Sequence, residues 1–163
     1  MSYLVRKISR SKWQGCGDSI EQAISADAAT NCLKTTKNTL SVWFAEQEAD
    51  IANAKLALLA ALERFDAVDV VVLEVESLIA QELHLQETDG LTAAKSLANL
   101  HRDISTLTLV ELEKVAKLVQ AKIVAKQTER IMRGNFQKII KAAVADGVID
   151  MADLPPKMAA DMA

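Results

Sequence analysis

Residues 68–76 read Val-Asp-Val-Val-Val-Leu-Glu-Val-Glu, and the run Val70–Leu73 is apolar on both faces of an extended strand. A strand with no polar face belongs in the middle of a sheet. Thr39–Glu46 supplies a second strand by alternation, with Leu40, Val42 and Phe44 on one face and Ser41, Trp43 and Ala45 on the other. Tyr3–Ile8 is a third, and its Arg6 and Lys7 predict an edge position. These strands alternate with helical segments, which makes parallel pairing the expectation.

The helical segments are read from spacing and caps. Ser25 can cap a helix over Ala26–Lys34, and Thr35–Asn38 reads as a turn. Ile51, Ala54, Leu58, Leu62 and Phe65 recur at helical spacing between Asp50 and the Asp66–Ala67 turn. A helix is expected through Leu78, Ile79 and Leu83, and everything from Leu91 onward reads as helix, beginning with Leu91, Ala94, Ala98 and His101. Thr108 and Glu111 form a capping box for a long helix whose stripe is Leu109, Leu112, Ala116, Val119 and Ile123. That helix is predicted to run to about Arg133, with Gly134 as its stop. A last helix carries Phe136, Ile139, Ile140, Ala143 and Val144 and closes at Asp146–Gly147.

Half of the residues are apolar but only 4% are aromatic, so the core must be aliphatic and rich in alanine. No apolar run approaches the roughly 20 residues that span a bilayer. The basic start, Arg6 to Lys12, is not followed by the apolar stretch of a signal peptide, so a cytoplasmic location is expected. Cys16 and Cys32, too few for a disulfide framework, fit it as free thiols. Charge is segregated: residues 46–90 hold eleven carboxylates against Lys55 and Arg64, although the whole chain carries only −3. Such separation steers partners or orients self-association.

The motifs that could carry chemistry are weak. Glu74 and Glu76 lie two apart on an expected strand, where both would project from one face beside Asp66 or Asp69 and could hold a divalent cation. Cys16 between two glycines reads as an exposed loop thiol, with no base adjacent in sequence. His84 and His101 lack the spacing of zinc ligands. His101-Arg102-Asp103 has Thr108 where a kinase catalytic loop has asparagine. Aligned on Gly147, a calcium loop would place Ala142 and Val144 at ligand positions.

The expected architecture is α+β: a small three-stranded αβ region over 1–90, a helical region over 91–154 packed on it or used for docking, and a frayed tail over 155–163. The expected function is a non-catalytic interaction or regulatory subunit that meets a protein partner, or another copy of itself, through its C-terminal helices. The partner-binding residues would be Lys122, Lys126, Arg130, Arg133, Lys138 and Lys141, opposed only by Glu129. No catalytic residue, cofactor, metal ligand or membrane contact is assigned. One alternative is nucleic-acid binding through Arg6, Lys7, Arg10 and Lys12 together with the basic stretch from Lys122 to Lys141. Another is a metal-dependent hydrolase built on Glu74 and Glu76.

Overall fold

The computed structural model describes residues 1–162. Six strands form one sheet: β1 (Tyr3–Ile8), β2 (Leu40–Ala45), β3 (Val68–Glu74), β4 (His84–Glu87), β5 (His101–Ser105) and β6 (Thr128–Ile131). Their order is β4-β5-β2-β1-β3-β6, and every neighbouring pair is antiparallel. The helices are α1 (Ile51–Ala60), α2 (Val75–Ala80), α3 (Leu109–Val124), α4 (Arg133–Ala145) and α5 (Pro156–Met162). The chain is an α+β protein, with six strands where three were expected, and pairing is antiparallel rather than parallel.

Both faces of the sheet are covered, as the doubly apolar β3 requires. On one face Leu4, Leu40, Val42, Val71, Leu73 and Ile104 meet Leu112, Val115, Ala116, Val119 and Ile123 of α3. The segment from Trp13 to Leu33 completes that layer with Trp13, Cys16, Ala28, Cys32 and Leu33. On the other face Val5, Trp43, Val70 and Ile131 meet α1 and α4, through Ala54, Ala57 and Leu58 and through Phe136, Ile140 and Ala143. Phe65 and Phe136 pack edge to face there, with ring centroids 4.9 Å apart.

Several expectations change. Strand β1 lies between β2 and β3 rather than at an edge, because Leu4, Val5 and Ile8 bury on the two faces. The stretch from Leu91 is not all helix: a 3-10 turn over Lys95–Leu100 leads into β5, and β6 follows α3. Both strands are short and polar, with Ile104 and Ile131 their only fully buried residues, so they carry little strand signal. Residues 156–162, expected to fray, form α5 because Met158 inserts fully into the α1/α4 layer. Cys16, expected to be exposed, is buried in the α3 layer and its thiol donates to the Trp13 carbonyl at 3.6 Å.

Helix ends explain another difference. Three helices close with paired 6→1 and 5→2 backbone bonds around one left-handed residue. At α4 that residue is Gly147, at φ +73°, as the sequence indicates. At α2 it is Glu82 (φ 58°) and at α3 it is Lys126 (φ 57°). Hence α3 stops at Val124, well before Arg133, and Gly134 falls in the first turn of α4. A left-handed lysine is sterically costly, so Lys126→Gly is expected to stabilise the fold by about 1 kcal/mol in urea denaturation. An unchanged or lower midpoint contradicts that assignment.

Candidate functional site

The six basic residues expected to dock a partner do not share one surface. Lys122 lies on α3, on one side of the sheet; Lys138 and Lys141 lie on α4, on the other; Arg130 sits on edge strand β6. Three of the six are engaged within the chain. Lys122 Nζ bonds Glu74 at 2.5 Å, Arg130 bonds both oxygens of Asp69 at 3.3 Å, and Arg133 bonds Asp161 at 2.9 Å. Lys126, Lys138 and Lys141 are exposed, and no carboxylate among the described residues reaches ion-pair distance of them. The opposing Glu129 is itself bonded to Lys55.

The carboxylates proposed for metal chemistry also separate. Glu74 ends β3, whereas Glu76 lies in the first turn of α2, so the two do not share a strand face. Burial acts to raise the Glu74 carboxyl, but the hydrogen bond and charge of Lys122 overcome it and hold the group below its ordinary value. Among the described residues no cluster of three His, Cys, Asp or Glu side chains is placed to hold a metal ion.

A polar network missed in the sequence runs across β2 and β5. Thr88 Oγ1 lies 2.7 Å from His101 Nδ1 and donates to Asp103 at 3.2 Å, while Ser41 Oγ donates to the other Asp103 oxygen at 3.3 Å. Ser41 therefore bonds the carboxylate and not the imidazole. With the Thr88 proton given to Asp103, the His101 Nδ1–H donates to Thr88 rather than acting as its base. The arrangement serves the sheet instead. The His101 ring packs edge-on against Trp43 at 5.1 Å, and both crowd Gly90, where a Cβ would come within 2.5 Å of Trp43.

Beside α3 the 16–29 segment forms a groove of about 410 Å³. Gln120, fully buried on α3, positions that segment by donating to the carbonyls of Cys16 (2.6 Å), Gln22 (2.9 Å) and Ser19 (3.2 Å). Ile24, Leu112 and Ala116 line the groove, Ile20 and Leu109 rim it, and Glu21 and Glu113 bring acidic charge. Ile20 is 65% and Leu109 83% exposed, so Leu109 is the one member of the expected α3 stripe that stays in water.

No protein-family model matches the chain, and neither a curated protein nor a solved structure matches it. Among the described residues no helix is long and apolar enough to cross a membrane.

Burial lowers the proton affinity of His101 below the ordinary 6.5, against the smaller raising effect of Asp103. The folded ring is thus neutral where the unfolded ring takes up a proton, so its contribution is intact above pH 6.5 and lost as pH falls below it. The stability advantage of the wild type over His101→Gln is expected to shrink between about pH 7 and about pH 5. A constant difference across that window contradicts the assignment.

Proposed function

We propose that this chain is a non-catalytic interaction subunit that docks an amphipathic helix of a partner protein in the groove between residues 20–29 and α3. The observation that carries this is the convergence of Ile20 and Leu109, from separate segments, as large exposed side chains on one apolar depression. Scattered exposed apolar residues are ordinary on a protein surface, but a contiguous apolar depression favours association. The α3 capping box keeps Leu109 at a fixed helix start rather than on a loose loop.

The charge around the groove selects the partner's chemistry. Glu21 and Glu113 rim it, and the nearby Lys117 is paired with Glu113 at 3.1 Å. A segment with apolar residues at helical spacing and basic flanks suits this surface. Docking through a C-terminal helix is thereby kept, but it moves from the basic stretch to the N-terminal half of α3. The nucleic-acid reading loses support because the basic residues divide between opposite faces of the sheet. Both thiols are unbridged, which suits the reducing cytoplasm.

A photo-crosslinking residue placed at Leu109 in the full chain, in the producing cell, tests the reading. One discrete adduct is expected, absent with the crosslinker at Lys138 and lost when Ile20 is changed to Asp. Adducts that are diffuse, equal at both positions or indifferent to Ile20→Asp contradict it.

A further inference from the structure

Strands β1 and β2 pair only at Tyr3–Ala45, Leu4–Phe44 and Val5–Trp43. Beyond Val5 they part, because Arg6–Ile8 stays in register with β3 while Leu40–Val42 stays in register with β5. The next pairs in that register, Arg6 with Val42 and Lys7 with Ser41, do not form. A cleft of about 460 Å³ opens in their place.

The side chain of Arg6 spans this opening. Its Nη1 donates to the Ser41 carbonyl at 2.5 Å and its Nη2 to the Cys32 carbonyl at 3.4 Å, while its buried Nε has no partner among the described residues. Burial pushes the guanidinium down to about 10, which leaves it charged at neutral pH. Among the described residues no carboxylate lines the cleft, and Lys7 and Lys12 bring two further cations. Asp27 offsets Lys12 at 3.5 Å, and Asp103 lies behind the Ser41 hydroxyl. A cation withdrawn from water without a counter-charge is unfavourable, and an anion in the cleft removes that penalty.

The backbone adds to this. The Ser41 carbonyl faces Arg6, and in an antiparallel strand the N–H of a residue points to the same side as its carbonyl. The Ser41 amide therefore turns toward the cleft, opposite a strand that has moved away. Trp43, Leu58 and Leu62 form an apolar wall beside these donors.

We propose that the cleft between β1 and β2 is a binding site for a small phosphomonoester, its phosphate facing Arg6 and Lys7 and its apolar body lying against Trp43, Leu58 and Leu62. Phosphate fits better than carboxylate here, since its higher charge matches an opening lined by Arg6, Lys7 and Lys12. The site is independent of the α3 groove and stands or falls separately from it.

Isothermal titration of the full chain with phenyl phosphate, inorganic phosphate and benzyl alcohol tests the site. Phenyl phosphate is expected to bind saturably, inorganic phosphate more weakly and benzyl alcohol not at all. Arg6→Gln and Lys7→Ala should each weaken phenyl phosphate about tenfold or more, and Lys138→Ala should leave it unchanged. Lys7 is exposed, so Lys7→Ala keeps the test decisive should Arg6→Gln fail to fold. Absent saturable binding, binding that survives Lys7→Ala, or equal binding of benzyl alcohol overturns the proposal.

Discussion

Strand β1 joins two half-sheets, β4-β5-β2 on one side and β3-β6 on the other, and the rest of the structure depends on how it divides its pairing between them. It is in register with β3 over all six residues from Tyr3 to Ile8, but with β2 over three. Its alternation serves both layers: Leu4 and Ile8 pack toward α3, and Val5 packs toward α1 and α4. Losing this strand would separate the half-sheets and expose both cores. The same unequal pairing leaves the opening that Arg6 occupies, so a central strand can hold a cation that ordinarily marks an edge.

Part of the charge separation along the sequence is resolved inside the fold. Asp69 and Glu74 of the acidic stretch meet Arg130 and Lys122, and Lys55 meets Glu129. These pairs are partly shielded from water, so desolvation offsets much of their attraction and they orient elements more than they hold the fold together. What holds it together is the burial of aliphatic side chains on the two sheet faces. The charge pattern therefore reports the relative placement of β3, α3 and β6 more than it reports a partner.

Elements with one strong local cause were legible from the residues. Alternation in Leu40–Ala45, the doubly apolar Val70–Leu73, the Thr108–Glu111 capping box and the Gly147 stop all reappear where spacing placed them. Elements specified by distant neighbours were not. Strands β5 and β6 are short and polar and exist because β2 and β3 offer them an edge. The end of α3 was hidden because Lys126, not a glycine, takes the left-handed position. Of the candidate site residues, the six basic positions were visible as a charge run but scatter in space. Leu109 looked like one more core residue, but it stands at the first position of α3 and stays in water. Arg6 carried no signal of its role, since its partners are carbonyls 26 and 35 residues away.

Residue-resolved amide hydrogen exchange on the full chain measures the parting of β1 from β2 directly. Trp43 and Ala45 pair with Val5 and Tyr3, so their amides are expected to exchange only through global unfolding. The Ser41 amide, two residues along the same strand, is expected to exchange at a rate near that of an unprotected peptide. Protection of Ser41 equal to that of Trp43 would mean that the strands close along their whole length, and would contradict the account.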